Sequence, residues 1–302
     1  MTRFDLAQIE NRKVTVELIR PQISQIEAFD TREILLPGAV TPSCHSSPFN
    51  SPLRSEAMPA PFFASIQVFE AAKEVGFAPK NILDIGAAGG YWTMTAQKVF
   101  PEAKFMMIDA VKNKDAEALS REIGATYVEA VLSDMVKEVD WFDEPVIGTG
   151  NSYFKERTQF FKEIVPKKRT TNTLDRLVAE QFKDGRTFGL CKLDVQGAEL
   201  DILKGGSKVM SGCELISLEL PLAGQYNEGA PTFAEYIAAV DKLGFTPVHD
   251  VELHDVGFAH FQIGFIFAKK QGLIIDEIQK QIETSPGKGG DDSDCVSLLD
   301  EV

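Results

Sequence analysis

"NILDIGAAGGYWT", residues 81–93, is the stretch that decides the fold of this chain. Its apolar first half is typical of a buried strand, and Gly86, Gly89 and Gly90 follow before a helix start at Trp92. Glycines let the backbone turn sharply and approach a ligand with no Cβ in the way. A strand, a glycine turn and a helix in this order indicate a nucleotide-binding α/β fold.

The turn excludes two phosphate-binding motifs. A P-loop requires Lys and Ser or Thr after its last glycine, whereas Tyr91 and Trp92 follow Gly90, and residues 86–90 do not supply GxGxxG. Asp84 would repel a pyrophosphate but suits a cation, and Asp109, at the end of the next apolar run, suits a ribose diol. S-adenosylmethionine, a nucleoside with a cationic amino-acid tail, meets both demands. The alternative is that Asp84 only caps the turn.

Short apolar runs alternate with helical patterns along the rest of the chain, which predicts a largely parallel sheet covered on both faces. No helical pattern separates the last two runs, so we expect the final strand to be antiparallel. The predicted fold class is α/β, with a Rossmann-like seven-stranded sheet. The predicted strands span residues 82–86, 104–109, 126–132, 188–194, 214–220, 245–248 and 261–267, and the main helices residues 92–99, 115–123, 173–183, 199–210 and 232–243.

Composition narrows the class of partner. The 302 residues carry a net charge of −14, which disfavours a nucleic-acid or anionic-membrane surface. No apolar run approaches the ~20 residues of a membrane span, and the charged N-terminus lacks a signal-peptide pattern. The four cysteines are scattered, so we expect reduced thiols and a cytoplasmic protein. The oligomeric state is left open, with a homodimer among the alternatives.

Four motifs in order carry a family resemblance. "DIGAAGGYWT" (84–93) resembles the pattern DxGAxxGxxT, and "KLDVQGAELDILKGG" (192–206) resembles the signature KxDxxGxExxxLxG. With "TTNTLD" (170–175) and "ISLEL" (216–220), they resemble the FkbM-type methyltransferases over residues 62–270. The chain departs from the family pattern at Gln196, where Glu is usual, and at Asp109-Ala110, where Glu-Pro is common.

The resemblance implies a class I methyltransferase sheet and S-adenosylmethionine-dependent O-methylation of a sugar, a polysaccharide precursor or a polyketide-like small molecule. Two other classes stay open: a nicotinamide-dependent oxidoreductase, and a non-catalytic relative that acts as a binding protein. The expected domains are an irregular N-terminal extension over 1–60, possible part of a substrate cap, a methyltransferase domain over 61–271, and a C-terminal helix with a disordered acidic tail over 272–302.

The resemblance and the strand ends together give the candidate site. For the reaction, we expect Asp194 to face the transferable methyl as the base, with Glu219 as the nearest alternative and Lys192 orienting the carboxylate or the acceptor. In the competing interpretation, Asp194 and Glu199 only brace the turn after the strand. The expected catalytic residues are Asp194, Lys192, Glu199 and Glu219, and the expected cofactor-binding residues are Asp84, Gly86, Ala87, Gly90, Asp109, Ser133, Asp134 and Asp194.

The acceptor pocket is predicted from segments outside the alternating core, namely residues 36–61, 135–172 and 221–231. Residues 155–169 hold six basic and two acidic side chains. We interpret them as a solvated loop, with a collar for an anionic acceptor as the alternative. His249 and His254 are expected to make polar loop contacts, and no metal site is predicted.

Overall fold

The computed structural model describes residues 63–145, 150–222 and 224–285. The helices are α1 Phe63–Glu74, α2 Tyr91–Val99, α3 Lys114–Ile123, α4 Leu174–Gln181, α5 Glu199–Gly205, α6 Ser207–Ser211, α7 Phe233–Lys242 and α8 Leu273–Thr284. The strands are β1 Asn81–Ile85, β2 Lys104–Asp109, β3 Thr126–Glu129, β4 Val131–Leu132, β5 Glu138–Trp141, β6 Lys167–Asn172, β7 Leu190–Leu193, β8 Leu215–Pro221, β9 Phe245–Val256 and β10 Ala259–Lys269.

Seven strands form the main sheet in the order β3-β2-β1-β7-β8-β10-β9. Within this sheet, neighbouring strands pair in parallel in the series β3, β2, β1, β7 and β8, and β10 runs antiparallel to both β8 and β9. The predicted Rossmann-like sheet with an antiparallel last strand is confirmed. The strand order reverses between β1 and β7, and in open sheets of this kind ligands bind beyond the carboxyl ends of the strands at that point.

Apolar side chains cover both faces of this sheet. On one face, Ile82 packs with Phe69 of α1 and Trp92 of α2. On the other face, Leu83 and Ile85 pack in a cluster that includes residues of α4, α5, α6 and α7. Because successive side chains of a strand point to opposite faces, the alternation places Asp84 on the same face as Ile82.

Local sequence signals set several helix ends near the site. The Asn113 side chain accepts hydrogen bonds from the amides of Asp115 and Ala116 at the start of α3, and Gly124 ends that helix with φ +68°. Thr232 and Glu235 form a capping box at the start of α7. Helix α2 begins after Gly90, whose φ of +86° is unfavourable for other residues.

Several elements differ from the sequence-based prediction. The strand predicted over 126–132 divides at Ala130, and β4 leaves the main sheet to join a second sheet in the order β4-β6-β5. The helix predicted over 199–210 divides at Gly206 into α5 and α6, and a Cβ at this position would stand 2.7 Å from Cδ2 of Leu174. Strands β5 and β6 were also missed, and the β6 sequence "KKRTTN" has no apolar alternation.

The predicted N-terminal extension and acidic tail lie outside the described residues. Among the residues that are described, none of the helices combines the length and the apolar character needed to cross a membrane.

Candidate active site

An open cleft lies at the carboxyl ends of β1, β2 and β7, where the strand order reverses. It encloses about 730 Å³, including its solvent-filled mouth. The turns after these strands contribute Gly86, Asp109 and Asp194 to its wall. Because β1 lies between β2 and β7, the two carboxyl-bearing turns flank the glycine turn.

The glycine turn packs directly against the turn after β7. Gly86 has φ +76°, and a Cβ on it would stand 1.8 Å from the carbonyl oxygen of Asp194. On the other side, the amides of Gly86 and Ala87 donate to the Ile108 carbonyl at 2.9 and 3.1 Å. Only a residue without a side chain allows this approach of three neighbouring strand ends.

Ala87 and Gly90, both expected to bind the cofactor, are packing positions in the structure. Ala87 is buried with Met107 in a small cluster beneath α3. A Cβ on Gly90 would stand 2.6 Å from Cδ2 of Leu119 on α3. Neither residue lies in the wall of the cleft, so their contribution to it is to set the path of the turn.

Asp109 ends β2 and lies in the cleft wall. Its Oδ2 accepts from the Ala88 amide at 2.8 Å, and its Oδ1 accepts from the Val111 amide at 2.9 Å. Burial raises the pKa of Asp109, and the two amide hydrogen bonds partly offset that rise. Each carboxylate oxygen has a second lone pair, so this anchored carboxylate can also accept from ligand hydroxyls.

Asp84 is fully buried and does not reach the cleft surface. Its Oδ2 accepts from the Thr93 hydroxyl at 2.7 Å, and its Oδ1 lies 3.5 Å from Nζ of Lys192. The register of β1 and β7 places Asp84 directly opposite Lys192. The acid before the glycine turn therefore pairs with a lysine of the neighbouring strand.

Lys192 links this buried pair to the cleft. Its ammonium donates to the Gly86 carbonyl at 2.8 Å and lies 3.3 Å from Oδ2 of Asp194. Burial alone would lower the pKa of Lys192, but the carboxylates of Asp194 and Asp84 raise it above its ordinary value. The Lys192 ammonium thus connects the glycine turn to the turn after β7.

Asp194 is the partly exposed member of the group, with 36% of its side chain accessible. Burial opposes its ionisation, but Lys192 and the Gln196 amide lower its pKa below the ordinary value. Nε2 of Gln196 donates to Oδ1 of Asp194 at 2.9 Å. Asp194 is therefore an ionised carboxylate at the edge of the cleft.

Glu199 braces the turn after β7 from beneath. Its carboxylate accepts from the amides of Val195 at 2.9 Å and Gly197 at 3.1 Å, and from the Tyr236 hydroxyl. Only 1% of Glu199 is exposed, and burial raises its pKa. It does not line the main cleft, so the geometry gives it a supporting position, as in the bracing interpretation.

Glu219 lies near the end of β8 among three side-chain donors. Nε2 of Gln196 donates to its Oε2 at 2.8 Å, Nε2 of Gln262 donates to the same oxygen at 3.1 Å, and Nε2 of His254 lies 3.2 Å from Oε1. Gln196 therefore bridges the carboxylates of Asp194 and Glu219. The sequence singled out both acids, and the structure brings them together through this amide.

Ser133 and Asp134 are not in the cleft wall. The Ser133 hydroxyl contacts Asp134 and the Tyr153 hydroxyl, and Asp134 forms a 2.8 Å ion pair with Lys137. The segment just before them, from Ala130 to Leu132, lines the cleft instead. The adenine contact expected of Ser133 and Asp134 stays a prediction.

Part of the predicted acceptor wall does reach the cleft. Trp141, Gly150, Asn151 and Tyr153 of the 135–172 segment line it, whereas residues 36–61 lie outside the described residues. Within the 221–231 segment, Pro221, Tyr226, Asn227 and Ala230 line a small pocket beside Glu219. Sequence reasoning named the segments but not these side chains, because no local pattern marks them.

The two lysines at the end of the basic segment form surface ion pairs. Lys167 pairs with Asp143 at 3.0 Å, and Lys168 pairs with Asp140 at 2.9 Å. Arg169 differs, because its guanidinium donates to the carbonyl of Ala110 at 2.9 Å and its Cζ lies 5.8 Å from the centroid of the Trp141 ring. The pairs around the two lysines correspond to a solvated surface, and Arg169 supports the cleft wall.

The prediction that His249 and His254 lie in a loop is wrong, because the strand predicted over 245–248 continues to Val256 as β9 and pairs with β10. His254 contacts Glu219 and Glu252, which raise its pKa to about 10. Within the described ranges, no group of three or more His, Cys, Asp or Glu side chains is arranged to hold a metal ion.

Comparison with solved structures shows distant similarity. Magnesium protoporphyrin IX methyltransferase from Synechocystis PCC 6803, solved with bound SAM, is 10% identical, with 68% of this chain and 76% of that chain covered and a TM-score of 0.40. Methyltransferase FkbM from Methylobacillus flagellatus KT is 13% identical, with 62% and 43% covered and a TM-score of 0.36. No curated protein matches the sequence significantly.

The family model gives the assignment. The model of the methyltransferase FkbM domain matches residues 84–247, which is more than half of the 302-residue chain. The match spans the glycine turn, Asp109, and the signature around Asp194 and Gln196, the residues that build the cleft. The chain belongs to the FkbM methyltransferase family.

Proposed function

We propose that this methyltransferase transfers a methyl group from S-adenosylmethionine to a hydroxyl oxygen of a sugar, a polysaccharide precursor or a polyketide-like small molecule. The observation that carries the proposal is the arrangement of Asp109 and Asp194 on either side of the Gly86 turn in one cleft. The first carboxylate suits the ribose of the donor, and the second lies where the strand order reverses.

The residues of the cleft fit the donor. Two amides already orient the Asp109 carboxylate, so its free lone pairs can accept from both ribose hydroxyls without further ordering. Ile108, Leu132 and Trp141 offer an apolar wall for the adenine ring. Gly86 presents backbone in place of a side chain, which leaves room for the methionine end. When bound, S-adenosylmethionine supplies a methyl group on a sulfonium, which a nucleophile displaces directly.

The acceptor side of the cleft is acidic. Asp194 lies in the cleft wall, Gln196 joins it to Glu219 outside that wall, and the Lys192 ammonium lies 3.3 Å from Asp194. Attack by a hydroxyl oxygen requires removal of its proton, and a positioned carboxylate can accept that proton. Lys167 and Lys168 of the predicted collar are engaged in surface ion pairs, which favours a neutral polyhydroxyl acceptor over an anionic one.

Calorimetric titration tests the donor proposal. S-adenosylmethionine should bind the wild-type protein, and NADH should not, because residues 86–90 lack the dinucleotide motif. Asp109→Ala should weaken donor binding at least about tenfold, since hydrogen bonds to a charged group contribute roughly 1.5–3 kcal/mol. The control is Asp140→Ala, which removes an exposed carboxylate paired with Lys168.

Circular dichroism on the same samples separates lost binding from lost folding. A folded Asp109→Ala protein with an unchanged dissociation constant would remove Asp109 from the site. Binding of NADH but not of S-adenosylmethionine would refute the proposed donor. Transfer of a labelled methyl group to a panel of methyl glycosides, uronic acids and phenols then ranks neutral against anionic acceptors. The cytoplasmic location and the oligomeric state stay predictions.

A further inference from the structure

The order of the strands sets the direction in which the methyl donor lies across the sheet. Asp194 follows β7, Gly86 follows β1 and Asp109 ends β2, and β3 is the next strand beyond β2. Neighbouring strands lie about 4.8 Å apart. In the proposed function the methyl group lies near Asp194 and the ribose on Asp109, so the adenine ring extends beyond β2 to the end of β3.

The chain that follows β3 is tied to Asp109 and lines this part of the cleft. The Ala130 amide donates to the Asp109 carbonyl at 2.8 Å, and residues 130–132 belong to the cleft wall. Trp141 also lines the cleft, and Cζ of Arg169 lies 5.8 Å from the centroid of its ring. An apolar surface with a fixed aromatic ring therefore lies where the base of the methyl donor extends.

An antiparallel contact brings a further segment to the same wall. The amide of Phe142 donates to the Ser152 carbonyl at 2.8 Å, and the Ser152 amide donates back at 3.3 Å. Ser152 is buried, whereas Asn151 and Tyr153 on either side of it line the cleft, as the alternation of an extended chain requires. The contact thus places Asn151 and Tyr153 in one wall with Trp141.

The backbone fixes the orientation of the Asn151 side chain. The Glu144 amide donates to Oδ1 of Asn151 at 2.8 Å. Because a backbone N–H can only donate, this contact identifies the oxygen and leaves Nδ2 on the other branch of the side-chain amide. Gly150, with φ +80°, packs so closely that a Cβ would collide with the buried Glu156 carboxylate. Asn151 is therefore held from both sides in the chain.

Four side chains of the cleft wall carry hydrogen-bond donors, and three of them are engaged or covered. The Tyr153 hydroxyl lies 3.2 Å from two other side chains, Gln196 donates both Nε2 hydrogens to carboxylates, and the indole N–H of Trp141 is buried. Asn151 is partly exposed, and no acceptor among the described residues contacts its Nδ2. Its amide is thus the accessible group that a ligand in this wall can use.

Resting on the proposed methyl transfer, we propose that Asn151 is a specificity-determining residue that recognises the adenine base of the methyl donor. Its Nδ2 donates to a ring nitrogen of the base, and the second lone pair of its Oδ1 accepts from the 6-amino group. A purine presents an amino group beside an accepting ring nitrogen, and a carboxamide presents the complementary acceptor and donor, the pairing by which asparagine recognises adenine.

A base with an oxygen at position 6 cannot make this pair. Its oxygen would face Oδ1 of Asn151, and a flip of the side-chain amide would lose the hydrogen bond from the Glu144 amide. A site that is arranged to pair with an N–H group rejects an analogue that lacks it, because the polar group of the site is left unpaired. The fixed amide should therefore select adenine against hypoxanthine.

Calorimetric titration of the full-length protein with S-adenosylhomocysteine and S-inosylhomocysteine tests the selection. The two ligands differ at the base alone, and neither carries a transferable methyl group. Because a bidentate pair discriminates against the wrong base by about 5- to 150-fold, the wild-type protein should bind the adenosyl ligand more tightly by that factor. Equal dissociation constants for the two ligands would overturn the proposal.

Asn151→Ala should abolish the preference, so the ratio of the two dissociation constants should fall by about 5- to 150-fold. A purely structural effect weakens both ligands alike and leaves this ratio in place. Asn151→Asp keeps an acceptor for the Glu144 amide but removes Nδ2, and it should weaken binding of S-adenosylhomocysteine roughly tenfold. An unchanged ratio in folded Asn151→Ala protein, or an unchanged affinity in folded Asn151→Asp protein, would refute the role of Asn151.

The matched control is Asn81→Ala. Asn81 begins β1, at the amino end of the sheet, and its side chain also contacts the backbone, through a 2.8 Å hydrogen bond to the Thr187 carbonyl. This variant should keep the wild-type ratio. Binding of S-adenosylhomocysteine with no effect of Asn151 on the ratio contradicts only this inference and assigns the amide to other contacts, such as the acceptor. A protein that binds neither ligand nor S-adenosylmethionine refutes the proposed function, and this inference with it.

Discussion

Gly86→Ala probes the contact on which the site depends. A Cβ at this position would stand 1.8 Å from the Asp194 carbonyl, and real Cβ contacts are not found below 3.0 Å, so the two turns must separate by about 1.2 Å. The left-handed backbone costs alanine about 1–2 kcal/mol. Displacement of a packed backbone adds about 1–3 kcal/mol. We therefore expect a loss of about 2–5 kcal/mol in the free energy of unfolding.

The matched control is Gly124→Ala. Gly124 has a similar φ of +68°, but among the described residues no atom lies within 4 Å of the position that its Cβ would take. In this variant, the free energy of unfolding should fall only by the cost of the left-handed backbone, about 1–2 kcal/mol. The smaller entropy of the unfolded alanine chain acts equally in both variants and cancels in the comparison.

Urea unfolding and donor calorimetry together measure both consequences. Because a misplacement of 1 Å can cost about 10²-fold in a positioned site, Gly86→Ala should weaken S-adenosylmethionine binding by roughly tenfold or more, whereas Gly124→Ala should not change it. Equal losses of stability in the two variants would refute the close approach of the glycine turn to Asp194.

Two further predictions concern the support of the site. Glu199→Ala should lower the free energy of unfolding by about 1–3 kcal/mol for each buried donor that it leaves unpaired. Urea unfolding measures this change, and a loss below about 1 kcal/mol would contradict the bracing position of Glu199. The double variant Lys167→Glu, Lys168→Glu should leave donor affinity unchanged, because exposed ion pairs contribute only about 0–1 kcal/mol. Arg169→Ala should weaken donor affinity, because Arg169 contacts Ala110 and Trp141 of the cleft wall. If calorimetry gives the double lysine variant and Arg169→Ala the same affinity for S-adenosylmethionine, Arg169 does not support the cleft wall.

The main sheet could be predicted from the sequence because its signals are local. Apolar runs such as Ile82–Ile85 indicate buried strands, and glycines mark the turns and helix ends between them. The absence of a helical pattern between the last two strands predicted the antiparallel hairpin, which β9 and β10 form. Strand β6 gave no such signal, since it pairs with β4 and β5 outside the main sheet and only one of its six side chains is buried.

The burial of Asp84 shows why the site could be predicted only in part. Its position before the glycine turn suggested a residue facing the ligand. The pairing of Asp84 with Lys192 depends on the register between β1 and β7, two strands more than a hundred residues apart in the chain. The sequence predicts that Asp84 and Lys192 lie in strands but does not give the register between these strands. That register places Asp84 next to Lys192, and the Thr93 hydroxyl also donates to Asp84.

Gln196 shows how a departure from the family pattern changes the chemistry of the acceptor side. An amide donates hydrogens to Asp194 and Glu219 at any pH, whereas the glutamate usual in the family would donate at most one hydrogen, and only when protonated. An ionised glutamate here would be a third carboxylate facing the other two. The sequence identifies the departure, but its partner Glu219 lies 23 residues away and only the sheet order brings it near. Because the substitution removes a charge between Asp194 and Glu219, acceptors of relatives with glutamate at this position cannot be transferred to this chain, and the acceptor panel has to be tested on this protein itself.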